Sequence, residues 1–361
     1  MSADAGRGSA LPLRALAPAK INLGLFVGPL RADSRHELVS VMQSISLADE
    51  LMLEWAGEGI RSKASGEEAR GDASGDDARG EASGEEAGGR ADGGARDVVV
   101  CAGVPGRPEE NLAARALAAF RAATGWAAAP VRLTVDKRIP VAAGLGGGSA
   151  DAAAALRLAA AASGLGDETL LRELAQELGA DVPAQVAPGR WLASGAGERL
   201  QALPAPARPL GVLVLPVAAQ LSTAAVYAQL DRMRAGRDAA SARADVELAG
   251  RERELRAAFG LAAPLPADVG LLHNDLQEAA IELCPLVGQA LAQARDGGAD
   301  VVLVSGSGPT VIGLFARANG PGRAQRAVAG LEGRVPAAVC AEAVGAEVGE
   351  VEGVGHEADA E

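Results

Sequence analysis

A run of glycines that leads directly into alanines is the feature that most constrains the fold of this chain. Residues 140–156 read PVAAGLGGGSADAAAAL, so a loop almost without side chains enters a segment of the strongest helix former. Glycine lets the main chain adopt positive φ and approach a ligand closely, and a helix start presents unpaired N–H groups with partial positive charge. The sequence therefore predicts a tight loop and a helix N-terminus that together bind an anion, with phosphate as the first candidate.

Two common phosphate-binding patterns do not fit this loop. A P-loop needs a lysine after its glycines, and none follows here; the dinucleotide-binding pattern needs a glycine where Ser149 stands. On spacing alone, the loop could also be a tight connection between a strand and a helix, and this alternative stays open. Asp151, which we place in the first helical turn, is expected to complement the helix amides rather than to act in catalysis.

Short β-branched runs alternate with segments of helical period on both sides of the loop. Aromatic residues make up only 2% of the chain, so leucine, valine, isoleucine and alanine must form most of the core. In the first half, strands are predicted at 16–30, 37–47, 97–103 and 131–139, and helices at 108–125, 149–164 and 167–179. This half therefore reads as a sheet with helices on one side.

A proline-rich stretch, PAPARP at 204–209, precedes a second cycle of the same kind. It contains the strand LGVLVLPV, helical stretches at 222–236 and 274–298, and a strand, glycine turn and second strand at 300–315. We therefore predict an α+β chain with one domain at 10–204 and a second at 205–341.

The net charge of -13 comes from two acidic segments. Residues 64–97 carry ten acidic residues and four arginines, and residues 341–361 carry seven acidic residues and no lysine or arginine. The first segment repeats with a period of nine and is rich in glycine and serine, so we predict a disordered insertion at about 60–97 and a disordered tail at 342–361. The remaining chain is neutral, and no nucleic-acid-binding surface is expected.

The cysteines and the hydropathy pattern bear on the compartment. Cys101, Cys284 and Cys340 show neither C-x-x-C nor Cys/His spacing, so no disulfide framework and no zinc site are predicted. No stretch approaches the ~20 apolar residues of a membrane helix, and the first residues lack the apolar core of a signal peptide. We expect a cytoplasmic protein that is a monomer or a homodimer and does not bind membranes.

Three stretches, taken together, resemble the GHMP kinase superfamily. PVAAGLGGGSADAAAAL is similar to its central phosphate-binding motif, PAKINLGL at 18–25 to its N-terminal motif, and SGSGPTVIGLF at 305–315 to its glycine-rich C-terminal motif. Further stretches, RADSRHELVSVMQSISLADEL, LGADVPAQV and HNDLQEAA, are similar to those kinases of the superfamily that phosphorylate 4-diphosphocytidyl-2-C-methyl-D-erythritol. The resemblance covers residues 16 to about 315 outside the acidic insertion.

This resemblance implies a fold and an activity. The fold is α+β with two GHMP kinase domains, the first ribosomal protein S5 domain 2-like and the second ferredoxin-like, and the active site lies in the cleft between them. The activity is ATP-dependent phosphorylation of the 2-hydroxyl of 4-diphosphocytidyl-2-C-methyl-D-erythritol, an isoprenoid precursor. ATP and Mg²⁺ are the implied cofactors, although we identify no metal-ligand cluster. A homoserine- or mevalonate-type kinase and a catalytically weak nucleotide-binding paralogue remain alternatives.

Site residues follow from the same motifs. Asp181 of GADVP would accept the proton of the substrate hydroxyl, and Lys20 of PAKINL would be the neighbouring cation. Asn22, Arg35, His36, Gly306 and Gly308 would contact the substrate, with His36 reading the cytosine edge. The implied ATP-binding residues are Pro140, Val141, Ala142, Ala143, Gly144, Leu145, Gly146, Gly147, Gly148, Ser149 and Ala150.

One short stretch departs from the family pattern. Related kinases read D-G-Y-H, with an aromatic ring that stacks on the cytosine, whereas this chain has Asp33, Ser34, Arg35 and His36. A guanidinium can stack on a base and brings positive charge near a diphosphate, so Arg35 is a possible replacement. Serine does not favour positive φ, so we expect the turn to change shape at position 34.

Overall fold

The fold is described by a computed structural model, which covers residues 9–56, 96–235, 241–331 and 338–354. The strands are β1 Leu13–Leu30, β2 His36–Trp55, β3 Val98–Cys101, β4 Val131–Asp136, β5 Arg190–Gly195, β6 Arg199–Leu203, β7 Gly211–Leu215, β8 Val301–Val304, β9 Val311–Phe315, β10 Val339–Glu342 and β11 Val351–Gly353. The α-helices are α1 Leu112–Thr124, α2 Gly147–Ser163, α3 Glu168–Leu178, α4 Val182–Val186, α5 Thr223–Arg234, α6 Ser241–Phe259, α7 Gln277–Leu283, α8 Pro285–Asp296 and α9 Gly320–Leu331.

The first sheet is built around the long hairpin of β1 and β2. Its strand order is β11-β1-β2-β4-β3. Strand β5 pairs with the N-terminal half of β2, at residues 38–43, and β6 pairs with β5. All of these pairs are antiparallel except β3 with β4. The register of β1 against β2 shifts between Pro18 and Lys20 and again between Asn22 and Gly24. These irregularities bracket the two polar side chains that β1 carries into the interior.

Helices α1, α3 and α4 pack around α2, which is buried along most of its length. Its alanines from 150 to 159 are inaccessible to solvent, as are Leu156 and Leu158. Because alanine side chains are short, α2 contacts α1, α4 and the first sheet closely without a layer of large side chains between them. The alanine run therefore fixes the start of α2 rigidly against the sheet.

The second sheet has the order β10-β7-β9-β8, with every pair antiparallel. Helices α8 and α9 pack on it, and α6 packs instead on β1 and β2 of the first sheet. The isolated bridge between Leu25 of β1 and Asn274 adds a further link between the two halves. The mixed α+β architecture is confirmed. The chain passes from β6 of the first sheet to β7 of the second between residues 203 and 211, while α6 and β11 return to the first sheet, and the division of the chain at 204/205 stays a prediction.

Several predictions of secondary structure need correction. The stretch 274–298 is not one helix, because Pro285 starts α8 directly after α7 has ended at Leu283. Strands β5 and β6 and helix α6 were not predicted. The acidic tail is ordered up to residue 354, since β11 pairs with β1 and Arg157 donates to the carbonyl of Gly349.

The two acidic segments fall largely outside the described residues. Most of the predicted insertion, 57–95, is among them, as are residues 355–361 of the tail. Asp97, at the end of the predicted insertion, accepts two hydrogen bonds from Arg121. Among the helices in the described ranges, none is both long and apolar enough to cross a membrane.

Candidate active site

The glycine loop ends in a helix start without a side-chain cap. Gly146 is the N-cap of α2 and adopts the left-handed conformation, with φ of 69°. No side-chain hydrogen bond caps this N-terminus. The first intrahelical bond runs from the N–H of Ala150 to the carbonyl of Gly146. The amides of Gly147, Gly148 and Ser149 consequently have no helical acceptor, so they can donate to an anion.

Two glycines of the loop are required by close packing. Gly144 has φ of 75°, and a Cβ there would collide with the carbonyl oxygen of Ser305 and lie 2.8 Å from that of Gly308. A Cβ on Gly146 would lie 2.9 Å from Cγ of Lys20. The loop thus lies against the turn at 305–308 on one side and against the stem of Lys20 on the other.

A cavity of about 520 Å³, which we name the loop cavity, lies along residues 140–149. Its other walls come from β3, from the segment 104–112 and from Lys137 and Asp151. One wall is therefore main chain, and the opposite one carries charged and polar side chains. Such a site can bind phosphate groups through amides and hold an attached group between the walls.

A buried charge cluster underlies the loop cavity. Lys137 Nζ donates to Asp49 Oδ2 at 2.5 Å and to Asp151 Oδ2 at 2.8 Å, and Asp49 also accepts from the amides of Arg138 and Ile139. Burial raises the pKa of Asp151 to about 7, and the nearby Asp49 acts in the same direction while Lys137 opposes it. Asp151 Oδ1 is buried with no partner among the described residues. The expectation that Asp151 complements the amides of the first helical turn is wrong, because α2 starts at Gly147 and Asp151, beyond that turn, pairs with Lys137.

A second cavity, of about 830 Å³, lies between the two sheets, and we name it the cleft cavity. Residues of β1, β2 and β5 line it on one side, and residues of α5 and the turn at 305–308 on the other. Gly144, Gly146 and Ser149 line both cavities. The glycine loop is therefore the common wall at which a group bound in one cavity meets a group bound in the other.

Lys20 and Asp181 form an ion pair inside the cleft cavity. Lys20 Nζ lies 3.4 Å from Asp181 Oδ2, and the two side chains are 7% and 39% exposed. Lys20 also donates to Asn22 Oδ1 at 2.9 Å, and Asn22 donates to Ser40. Asp181 stands directly before α4, where GADVP ends the preceding helix and starts the next. The structure thus brings together the two residues that the motifs single out.

His36 is held in the cleft cavity by helix α5. Its Nε2 lies 3.0 Å from Asp231 Oδ1, and its ring lies against that of Tyr227 with centroids 5.0 Å apart. Burial raises the pKa of Tyr227 to about 12, with added effects of Asp181 and Asp275. The phenol therefore stays protonated at neutral pH. Sequence reasoning missed both α5 residues, although Tyr227 is the only tyrosine of the chain.

Arg35 and Ser34 differ from what the sequence suggested. Arg35 lines the cleft cavity, but its guanidinium is 57% exposed and bonded to Asp33 through Nε and Nη2. Ser34 adopts φ of 62°, the left-handed conformation that glycine would favour. The expectation of a reshaped turn is therefore wrong, because serine accepts the strained conformation here.

The turn at 305–308 closes the cleft from the second sheet. Asn274 donates to the carbonyls of Val304 and Gly306 and so holds the turn. Gly306 has φ of 56°, and a Cβ there would lie 3.2 Å from the carbonyl oxygen of Gly144 and 3.3 Å from Lys20 Nζ, so the position favours glycine. Gly308 and Ala150 are the two predicted site residues that line neither cavity, since Gly308 packs toward Val304 and Ala150 is fully buried.

Comparisons with known proteins agree with this geometry. The model of the GHMP kinase N-terminal domain matches residues 111–189, and that of the GHMP kinase C-terminal domain matches residues 249–332. A protein of Anaeromyxobacter dehalogenans (strain 2CP-C) named 4-diphosphocytidyl-2-C-methyl-D-erythritol kinase is 39% identical over 326 residues, which cover 88% of this chain and 85% of the relative. The protein of the same name from Corynebacterium jeikeium (strain K411) is 40% identical, with coverage of 84% of each.

Solved structures show the same fold. The crystal structure of a 4-(cytidine 5'-diphospho)-2C-methyl-D-erythritol kinase superposes with a TM-score of 0.63 at 29% identity, over 92% of this chain and 100% of that one. A homoserine kinase from Cytophaga hutchinsonii gives 0.61 at 16% identity, with coverage of 98% and 99%, a likeness of fold alone. The identities above 35% over most of both chains decide the matter: this chain is a GHMP kinase and belongs to the family of 4-diphosphocytidyl-2-C-methyl-D-erythritol kinases.

Proposed function

We propose that this chain transfers the γ-phosphoryl group of ATP to the 2-hydroxyl of 4-diphosphocytidyl-2-C-methyl-D-erythritol, the substrate that its relatives' names state. One observation carries the proposal. The Lys20–Asp181 pair lies in the cleft cavity, and that cavity shares Gly144, Gly146 and Ser149 with the loop cavity. A phosphoryl donor and an alcohol acceptor bound on the two sides of the loop would meet beside this pair.

The loop cavity is the proposed nucleotide site. The uncapped amides of Gly147, Gly148 and Ser149 would bind phosphate oxygens, supported by the partial positive charge of the α2 N-terminus. A fixed array of amides needs no reorganisation as negative charge shifts during transfer, which is the main contribution a protein makes to this reaction. The remaining walls would hold the adenosine.

Asp181 is the proposed base. Its carboxylate would take the proton of the 2-hydroxyl while that oxygen bonds to the γ-phosphorus and the bond to the β-phosphate oxygen breaks, with ADP as the leaving group. Lys20 Nζ would balance the negative charge on Asp181 and on the transferred group. The chain Lys20–Asn22–Ser40 fixes the ammonium in position, because Ser40 in turn donates to the carbonyl of Gly24.

The cytosine is proposed to bind near His36 and Tyr227. Both side chains line the cleft cavity, and an aromatic ring next to a hydrogen-bonding imidazole is a suitable site for a base. Tyr227 would then supply the ring that the D-G-Y-H pattern has before its histidine. Arg35 remains a proposed contact for the diphosphate, through charge.

A magnesium ion is proposed to accompany the triphosphate. No group of three or more potential metal ligands occurs within the described residues, which fits an ion held mainly by phosphate oxygens and water. The hydroxyl oxygen of Ser149 would be a further ligand of the ion, since Ser149 lines both cavities. When bound, the ion would neutralise charge between the β- and γ-phosphates. The three free thiols are compatible with a reducing compartment, and we propose that the chain acts in the cytoplasm.

A substrate panel tests the proposal. Purified chain, ATP and Mg²⁺ are incubated with 4-diphosphocytidyl-2-C-methyl-D-erythritol, homoserine or mevalonate, and ADP release is followed with a coupled assay. We expect turnover with the cytidyl compound alone. Phosphorus NMR should then show a product that is phosphorylated on the erythritol. Turnover with homoserine or mevalonate instead would reassign the acceptor. Tight ATP binding without turnover of any alcohol would favour a non-catalytic nucleotide-binding protein.

A further inference from the structure

Helix α5 holds His36 through two residues of one face. Asp231 Oδ1 lies at hydrogen-bond distance, 3.0 Å, from His36 Nε2, and the Tyr227 ring packs against the imidazole. The two α5 residues are four positions apart and therefore project from neighbouring turns on one side of the helix. The side chain of His36 is only 8% exposed, so this contact determines the position of the imidazole in the cleft.

The chemistry of this contact fixes which ring nitrogen carries the proton. An ionised carboxylate can only accept hydrogen bonds, so the nitrogen that faces it must be the N–H donor. In neutral imidazole the other nitrogen is then an acceptor. Within the described part of the chain, no protein group bonds to Nδ1 of His36, and His36 lines the cleft cavity. Nδ1 is therefore a free hydrogen-bond acceptor on a residue that lines the cleft cavity.

We propose that Asp231 is a positioning residue that fixes His36 in its Nε2–H tautomer and thereby makes the cleft select cytosine over uracil. Cytosine carries an amino donor at position 4, which an Nδ1 lone pair can accept. Uracil carries an oxygen there, which would face the lone pair without a hydrogen. The inference rests on the proposed function, because it takes the base to lie beside His36.

The His36–Asp231 hydrogen bond could instead serve only to join the two halves of the molecule, since His36 belongs to β2 and Asp231 to α5. The two roles differ in what they predict. A structural contact, when weakened, lowers affinity for cytosine and uracil ligands by the same factor. A tautomer-setting contact changes their ratio, because it alters which base edge the imidazole can bond.

Asp231→Asn is the test variant, because an asparagine amide can either accept from or donate to Nε2 and so no longer fixes the tautomer. Asp296→Asn is the matched control, an identical change at an exposed residue at the end of α8. CDP and UDP binding are measured by calorimetry at pH 8. The wild type and Asp296→Asn are expected to prefer CDP by at least about 30-fold, and Asp231→Asn by about 3-fold or less.

A spectroscopic measurement keeps the proposal testable even if the variant binds poorly. The chain has three histidines, so ¹⁵N shifts of the imidazole nitrogens can be assigned with single His→Gln variants of His273 and His356. We expect His36 of the wild type to show a protonated Nε2 and an unprotonated Nδ1, and Asp231→Asn to show a mixture. A wild-type Nδ1–H tautomer, or an unchanged CDP to UDP ratio in a folded Asp231→Asn protein, would overturn the inference.

The kinase assay separates this inference from the proposed function. If the wild type phosphorylates the cytidyl substrate and Asp231→Asn keeps the same preference over the uridyl analogue, the role of Asp231 is wrong and the function stands. If the wild type shows no turnover but binds CDP over UDP in an Asp231-dependent manner, the tautomer mechanism stands and the reaction must be reassigned.

Discussion

The loop cavity and the cleft cavity share a wall but are built in opposite ways. The loop cavity is formed mainly by one continuous stretch, 140–149, and its proposed binding groups are backbone amides. The cleft cavity gathers side chains from β1, β2, β5, α5, the start of α4 and the turn at 305–308. One cavity therefore depends on the conformation of a short segment, and the other on the relative position of distant segments.

This difference has consequences for chemistry. An amide array on a buried alanine helix binds any phosphate chain of suitable shape and is insensitive to side-chain changes that leave its conformation intact. The cleft must recognise one particular alcohol, and side chains such as Asp181, His36 and Tyr227 each contribute a distinct group. We expect backbone changes to weaken nucleotide binding and cleft substitutions to affect turnover or the acceptor while nucleotide binding persists.

The largest effect is expected for Asp181→Asn. It removes the proposed base and keeps the shape of the side chain, so kcat should fall by about 10³-fold, within the range for loss of a general base. The dissociation constant for ATP should change by less than about 3-fold, because Asp181 does not line the loop cavity. Kinase assays and calorimetry measure the two quantities.

Asp296→Asn is the matched control for that experiment, since it makes the same chemical change at an exposed residue that lines neither cavity. Its kcat should equal that of the wild type. If Asp181→Asn retains more than about a tenth of the wild-type kcat, another group takes the proton. If Asp181→Asn loses ATP binding as well, a substitution in the cleft cavity also changes nucleotide binding in the loop cavity, and the proposed separation of the two is wrong.

The next largest effect is expected for Gly144→Ala. The new Cβ would collide with the carbonyl of Ser305 at a position with φ of 75°, so the loop must move. ATP binding should weaken by about 100-fold or more, and the strain should cost about 1–2 kcal/mol of stability. Calorimetry with ATP and urea unfolding measure these effects.

Gly250→Ala provides the matched control for the loop. Gly250 lies in α6, has no neighbour within 4 Å of an added Cβ and does not have positive φ. Alanine there should raise stability by about 0.5–1 kcal/mol because it is the better helix former, and should leave ATP affinity unchanged. Equal ATP affinity of the wild type and Gly144→Ala would show that the loop conformation does not determine nucleotide binding.

The same contrast explains how much the sequence could reveal. The loop was predictable because its glycines and the alanine helix are contiguous, and φ and helix start are local properties. Even there, α2 starts two residues earlier than predicted, so that Asp151 lies beyond the first turn, and its tertiary pairing with Lys137 was not predicted. The break at Pro285 was visible as a proline in a helical pattern and could have been predicted.

The cleft was predictable only in part. Lys20 and Asp181 were found through motif resemblance, since no periodicity relates residues so far apart in the chain. Tyr227 and Asp231 escaped because their relation to His36 depends on how α5 docks beside β2. Local patterns predict α5 as a helix but do not specify which strand its polar face meets. Tertiary packing supplies that information.

A pH experiment sharpens the comparison from the side of the loop cavity. Because burial raises the pKa of Asp151 from 3.8 to about 7, the folded protein binds this proton more tightly than the unfolded one. Protonation of Asp151 therefore contributes its full share to the free energy of unfolding below about pH 4, and this share is lost as the pH rises toward 7 and beyond. Between pH 5 and 8 the wild type should lose about 2.6 kcal/mol of stability relative to Asp151→Asn, whose side chain cannot titrate.

Urea unfolding at several pH values measures this difference. The relevant quantity is the change of the wild-type free energy of unfolding with pH minus that of Asp151→Asn, which cancels groups that titrate in both proteins. Parallel pH profiles would mean that Lys137 keeps Asp151 ionised in the folded state. A wild type that gains stability relative to the variant above pH 5 would reverse the sign and contradict the buried carboxyl described here.

The smallest effect is expected for Arg35→Ala, and it asks which side chain replaces the missing aromatic of the D-G-Y-H pattern. Arg35 is exposed and already bonded to Asp33, so its net contribution to a bound diphosphate should be modest and screened by salt. We expect KM for the cytidyl substrate to rise by about 3-fold at low salt and less at 0.5 M salt, with kcat unchanged. Tyr227→Ala, which removes the ring against His36, should raise KM by about 10-fold at either salt concentration, because stacking on a base does not depend on net charge. A larger and salt-independent effect of Arg35→Ala would instead assign the stacking role to the guanidinium, and the base would then be read by Arg35 and His36 rather than by a residue of α5.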